Sequence, residues 1–364
     1  MKRIRLTGFF IFVVCVLPFC VEAQFSETRD LVKRFAVSSK TQIEIANKYG
    51  KIDVKTWDKD SAVFEISIRV EEKKLSKLEE SIRNIEFDIT DNQHYLIVRT
   101  EVEKNKSGLA KEFKRFKETL LSSDGNIQVD YTVWIPDANK LKIENKYGDI
   151  YIGDYKGEVS IDLSNGNLKA NNFEKDFNLI LNFGDATINT FKKGQLECSF
   201  SELSLKKASS VRISSRSTEF DIQQIQELNT DSRRDKYRID KIDLFDGQSS
   251  FSTVRINELT DRINIRTEYG DLEIEKTVAD FGNVVIQSKS TDISLYFPQE
   301  ASFNFEISQA KTGLSLPGQM KTETEEISED GKTTTIKGHF GESTDNSLKL
   351  NISAESGSIN VRSR

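Results

Sequence analysis

From about residue 141 onward the chain alternates apolar and polar residues in short runs, and small or polar residues break these runs at a regular interval. Val159, Ile161 and Leu163 precede one break at Asn165-Gly166, and Leu168 and Ala170 follow it. The next unit reads Leu179, Leu181 and Phe183, then Ala186 and Ile188, while Lys, Glu, Asp, Asn and Thr fill the other parity. Period two marks a strand with one buried face. Each unit therefore predicts a strand, a tight corner, a second strand and a further turn leading onward.

The break recurs as Tyr147-Gly148-Asp149, Asn165-Gly166-Asn167 and Phe183-Gly184-Asp185, continues without glycine at Ser201, Thr218, Asp235 and Ser252, and returns as Tyr269-Gly270-Asp271, then Thr291 and Thr312-Gly313. Successive steps are 18, 18, 17, 17, 17, 17, 18, 21 and 21 residues. Outlying copies surround Gly50 and Gly357. A meander of hairpins or a solenoid would both alternate, but only a solenoid needs a fixed period, because residue i then stacks on the residue one coil later. The expected fold is all-β: a single-stranded parallel β-solenoid, or β-helix, with about 17–21 residues per coil and an N-terminal α+β cap. Stacked at about 4.8 Å, the coils make a rod on the order of 50 Å long. Gly50, Gly148, Gly166, Gly184, Gly270 and Gly357 are its structural turn residues, the first five expected to supply positive φ at the corners.

Residues 62–140 break the period. Ala62–Val70, Ile85–Thr90, Tyr95–Val102 and Ile127–Ile135 read as longer strands, with a turn at Asp91-Asn92-Gln93. Leu75, Leu78, Ile82 and Ile85, and again Leu109, Phe113, Phe116 and Leu120, form helical stripes. These predict two short helices over a small antiparallel sheet that closes one end of the rod. The expected division is 1–23 signal peptide, 24–140 first repeat copy and cap, 141–318 repeats, and 319–364 acidic loop and C-terminal cap.

The order of these parts is informative: Tyr49-Gly50-Lys51-Ile52-Asp53-Val54 followed by Trp57, long strands ending in Val133-Trp134-Ile135-Pro136, glycine-turn repeats, and a final Ser356-Gly357-Ser358-Ile359 unit. This pattern resembles the bacterial putative-adhesin family of unknown function over nearly the whole chain after residue 23. The resemblance implies a β-solenoid exported by bacteria, often Bacteroidota, and it brings no catalytic residues. The chain departs from the family pattern where the middle four units lose glycine, which puts corner regularity from Ser201 to Ser252 in question.

Composition adds compartment. Lys2, Arg3 and Arg5 precede an apolar run from Leu6 to Cys20, and Val21 and Ala23 sit at the small-residue positions of a cleavage site. The run is shorter than a membrane span, so the expectation is export to the periplasm, outer surface or exterior, with no transmembrane span after cleavage. Lipid attachment at Cys20 is the weaker alternative because Phe19 precedes it. Hydrophobic residues at 37% and charged residues at 30% describe a folded protein rather than a disordered one. Two histidines and three cysteines are too few for zinc, haem or iron–sulfur sites. A net charge of −6, made more acidic by loss of the leader, gives no reason to expect nucleic acid.

The residues offer no catalytic, cofactor or metal set. His94 and His339 lack ligand-spaced partners, and Cys198 falls in the core column of Leu163 and Leu181 as an inert thiol. Asp149, Asp185, Asp271, Glu202 and Glu219 share one register and read as solvated turn residues, ahead of calcium or an acid pair. Arg212, Arg216, Arg233, Arg238 and Arg255, with Arg234, concentrate in consecutive units. They form a candidate strip for an anionic ligand, against the favoured reading of pairing with Glu219, Asp221, Asp231, Asp235 and Asp240. Tyr49, Tyr147, Phe183 and Tyr269 precede corner glycines and are expected to pack there, with sugar stacking the alternative. The leading function is a non-enzymatic, adhesin-like or structural scaffold of the bacterial envelope, its partner a cell-surface glycan or envelope protein. A carbohydrate-active β-helix enzyme and an envelope-stress or regulatory sensor are the alternatives.

Overall fold

Constant spacing becomes constant register. In the computed structural model, which describes residues 24–102, 125–342 and 348–364, Ile161 and Leu163 of strand Val159–Ser164 pair in parallel with Leu179 and Leu181 of Phe177–Asn182. Leu181 pairs in turn with Cys198. Parallel pairing then runs unbroken through Asp185–Ser199, Glu202–Arg216, Glu219–Arg233 and Lys236–Ser250. The one-residue slip between Ile242 and Leu244 absorbs the longer step into strand Thr253–Ile274. The fold is the expected β-solenoid, and the loss of glycine in the middle units does not disturb its register.

Inside, like stacks on like. Leu203, Phe220, Tyr237 and Val254 form one buried column, in which the rings of Phe220 and Tyr237 lie 4.6 Å apart. Phe191, Ala208, Ile225, Ile242 and Leu259 form another. The alternating burial leaves the other parity on the outer face, as the sequence pattern requires.

The corners differ from expectation in an instructive way. Gly50 and Gly148 have φ of 115° and 149°, as expected of turn glycines, and Gly357 has 90°. Gly166, Gly184 and Gly270 do not need positive φ, because the residue before each, Asn165, Phe183 or Tyr269, carries it at 55°. At Gly166 the requirement is space instead: a Cβ there would collide with the carbonyl oxygen of Gly148 in the preceding coil. At three of the units without glycine the inward residue three positions earlier is a serine, a place held by Asn47, Asn145 and Thr267 before Gly50, Gly148 and Gly270. Leu163 with Gly166 and Leu181 with Gly184 give way to Ser215 with Thr218, Ser232 with Asp235 and Ser249 with Ser252, all six of these buried. In these units small polar groups stand in place of aliphatic bulk, and Ser215, Ser232 and Ser252 are hydrogen-bonded around Asp235.

Both ends are closed by antiparallel strands. Gln42–Tyr49 lies between Leu141–Tyr147 and Tyr95–Val102, and Ile52–Trp57 lies between Ile150–Ile152 and Gly125–Pro136, all in parallel. Two strands of the interrupting segment thus continue the solenoid, where a separate antiparallel sheet was expected. Ile85–Asp91, Ser61–Glu72 and Phe25–Ala36 then add antiparallel strands outside them. Helix Leu75–Arg83 crosses this end on Leu78 and Ile82 and packs against those three strands. Leu75, expected in the stripe, is exposed at the first helical position. The second expected helix, at Leu109–Leu120, and the leader at 1–23 lie outside the described residues.

At the other end Thr312 does not stack on Thr291, although the spacing of 21 residues matches the step before it. The last strand, Leu348–Ser363, is inserted between Val284–Phe297 and Phe303–Ser315, so that both Thr291 and Thr312 pair with Gly357. Thr334–Phe340 and Met320–Ile327 finish that end in antiparallel fashion.

Candidate functional site

The sharp corner of each coil is one residue in the left-handed region: Asn165, Phe183, Phe200, Ser217, Arg234, Phe251, Tyr269 and Ser290, continued by Ser356 and Lys311. Asparagine suits that backbone, and bulky side chains do not. Four aromatics nevertheless stand in the column, exposed by 58% at Phe183, 46% at Phe200, 52% at Phe251 and 44% at Tyr269. Phe183 stacks on Phe200 with centroids 5.1 Å apart and planes 2° from parallel, and Phe251 stacks on Tyr269 at 4.9 Å and 10°. Tyr49 and Tyr147 make a similar pair at 5.5 Å near the N-terminal end. The coil spacing of about 4.8 Å sets these separations. Phe183 and Tyr269 were expected to pack into the corner, but the left-handed residue points its side chain outward, and the rings meet solvent and each other.

Between the two exposed pairs lie two coils whose corner residues are Ser217 and Arg234. Arg216 and Arg233 precede them and pair in register on adjacent strands. The Arg216 guanidinium lies 5.3 Å from the Phe200 ring centroid. Arg212 shares the outer face of the Arg216 strand. Arg238 and Arg255 are in register with each other on the far side of the corner, where Arg238 pairs with Glu219 and Arg255 with Glu273 at 3.2 Å. Arg212, Arg216, Arg233 and Arg234 have no carboxylate at ion-pair distance among the described residues. The candidate strip thus divides: Arg216, Arg233 and Arg234 converge on the gap between aromatic pairs, and the other predicted members stand apart from it. A shallow polar hollow lined by Ile180, Asn182, Glu197, Ser199, Ser214 and Arg216 runs alongside the Phe183–Phe200 pair and reaches the gap at Ser214 and Arg216.

Phe200 and Phe251 are the residues that sequence reasoning missed, because their units lack the glycine that flagged the others. Adding 17 to Phe183 and to Arg234 finds both.

The remaining candidates are occupied elsewhere. Asp149 accepts hydrogen bonds from the Asn167 backbone and side-chain amides at 2.9 and 3.1 Å, and Glu219 is held by Arg238. His339 Nδ1 lies 2.8 Å from a Glu323 carboxylate oxygen, and His94 sits in an exposed turn where its backbone N–H donates to Asn92 Oδ1. Cys198 is buried, and that burial pushes its thiol up to about 12. Among the described residues no helix is long and apolar enough to cross a membrane.

The profile of the Toastrack DUF4097 family matches residues 40–362. The chain belongs to that family. The Toastrack match begins just before strand Gln42–Tyr49 and ends within the inserted strand Leu348–Ser363, so it takes in the inserted strand but leaves out the outer strand Phe25–Ala36. Solved structures similar to this Toastrack protein include a "putative cell adhesion protein" from Clostridium sporogenes, at 11% identity over 93% of this chain and 100% of that one, with a TM-score of 0.18. A "putative adhesin" from Bacteroides fragilis shows 10% identity over 92% and 97%, TM-score 0.34. Another from Parabacteroides distasonis shows 10% over 73% and 92%, TM-score 0.32. No curated protein matches this chain.

Proposed function

We propose that this Toastrack protein is an exported, non-enzymatic scaffold of the bacterial cell envelope that acts as an adhesin-like interaction module, with its aromatic–arginine corner as the contact surface. The observation that carries the reading is the exposure of Phe183, Phe200, Phe251 and Tyr269 at a backbone position unfavourable to them. They contribute nothing to the core, which the inward columns already fill. Strain and exposure retained together point to selection on the surface rather than on folding. The rod holds these groups rigidly, since each coil is hydrogen-bonded to its neighbours. Export is supported by the basic and apolar pattern of residues 1–23. The partner classes remain a cell-surface glycan or an envelope protein.

The test is retention of beads coated with purified protein on immobilised polysaccharides and envelope proteins, run beside a polysaccharide-depolymerisation assay. Retention without cleavage is expected. Cleavage that one Asp or Glu substitution abolishes would replace this reading with a carbohydrate-active enzyme.

A further inference from the structure

Resting on that reading and deepening it, we propose that the corner between Phe200 and Phe251 binds an anionic polysaccharide whose sugar rings carry carboxylates.

The stacking arrangement determines which ring faces are open. Phe183 covers one face of Phe200, and Tyr269 covers one face of Phe251. The Arg216 guanidinium lies 5.3 Å from the Phe200 ring centroid, whereas the second face of Phe251 turns toward the coil of Arg234; the two rings stand three coil steps apart, or roughly 14 Å at the sheet spacing. The result is a notch between exposed rings in which Arg216 lies against Phe200 and Arg234 stands at the corner position itself. Sugar rings present apolar C–H faces that suit aromatic rings. Arg216, Arg233 and Arg234 supply planar, always-charged forks matched to carboxylates. The adjoining hollow offers the Asn182 amide, the Ser199 and Ser214 hydroxyls and the Glu197 carboxylate as partners for sugar hydroxyls.

Three competing ligand classes fit less well. A densely charged nucleic acid would extend beyond three arginines onto a protein of net charge −6, with Glu197 in the adjoining hollow. A membrane needs a continuous apolar patch, and here Ser217 and Arg234 interrupt the aromatics. A peptide added as a strand needs a free edge, and the coils at the notch are paired on both sides. A sugar chain with spaced carboxylates matches intermittent aromatic faces and sparse charge.

The experiment measures binding of polygalacturonate, alginate and hyaluronate to the purified protein, each against its carboxyl-reduced, neutral counterpart. At least one polyuronate should bind, and its neutral form should bind at least tenfold more weakly. The double variants Phe200→Asn with Phe251→Asn, and Arg216→Ser with Arg233→Ser, should each lose at least tenfold in affinity. Asparagine already occupies the equivalent corner at residue 165, so circular dichroism and Tm should stay unchanged. Arg238→Ser with Arg255→Ser, on the other side of the corner, should bind as the parent does. The proposal is overturned by the absence of polyuronate binding, by equal binding of neutral polymers, by corner variants that bind normally, or by tighter binding to single-stranded oligonucleotide or anionic vesicles. Beads that still adhere to neutral glycan or protein surfaces after the corner substitutions would leave adhesion standing and remove this site alone.

Discussion

Ser215 Oγ donates a 2.7 Å hydrogen bond to Asp235 Oδ2 in the interior of the rod, reaching it from the neighbouring coil. Ser232 Oγ at 2.7 Å and the Arg233 N–H at 3.0 Å donate to the same oxygen, and the Thr218 N–H donates to Oδ1 at 2.8 Å. Four donors thus depend on one buried carboxylate. Asp235→Ala should cost about 3 kcal/mol, because buried donors lose their acceptor together. Urea unfolding should show this as a lower midpoint at unchanged slope. A midpoint equal to the parent's would mean that water satisfies these donors.

Gly166→Ala forces a methyl group against the Gly148 carbonyl, and the backbone there cannot yield without moving a coil. A loss of about 2 kcal/mol or more is expected, in the range of overpacked cores. Gly153→Ala meets no atom within 4 Å and should leave Tm within a degree or two of the parent. Equal behaviour of the two variants would show that the glycine column is not a steric requirement.

Cys198 should be unreactive in the native state. In protein whose Cys15 and Cys20 are replaced by serine, a disulfide reagent at pH 8 should label Cys198 at least about a thousandfold more slowly than in denaturant. Burial raises the folded thiol from its ordinary 9.0 to about 12, so its contribution to stability is fully present below pH 9. It declines as pH climbs from about 9 toward 12, where only the unfolded chain ionises. Cys198→Ala should flatten that part of the stability–pH curve.

Ile359 is fully buried and sits between Ile293 and Leu314 on the two flanking strands. Ile359→Ala should cost about 3 kcal/mol by leaving a cavity shared by three coils. Hydrogen exchange should then quicken in Val284–Phe297 and Phe303–Ser315 together. Acceleration in only one of them would contradict the inserted arrangement.

The strands were legible because burial on one face imposes period two, and the sequence-based bounds of Tyr95–Val102 coincide with the observed strand. The coil register was legible because like residues recur at 17 or 18. Position at the C-terminal end was not. The steps from Gly270 to Thr291 and from Thr291 to Thr312 are both 21 residues, yet only the first joins stacked neighbours. Equal spacing permits stacking, and a later strand can still take the place. The notch needed register as well as pattern. Arg238 finds Glu219 one coil back, whereas the column neighbours of Arg216 are Ser199 and Arg233, neither of which can neutralise it.

Strand Leu348–Ser363 is one that two earlier strands both require. A polypeptide ending before Leu348 would present Val284–Phe297 and Phe303–Ser315 with unmet backbone donors and acceptors along facing edges. Molecules truncated there would therefore be sticky and easily proteolysed, and only synthesis through this strand pairs both edges. Inserting Leu348–Ser363 between two strands that precede it makes folding its own proofreading step.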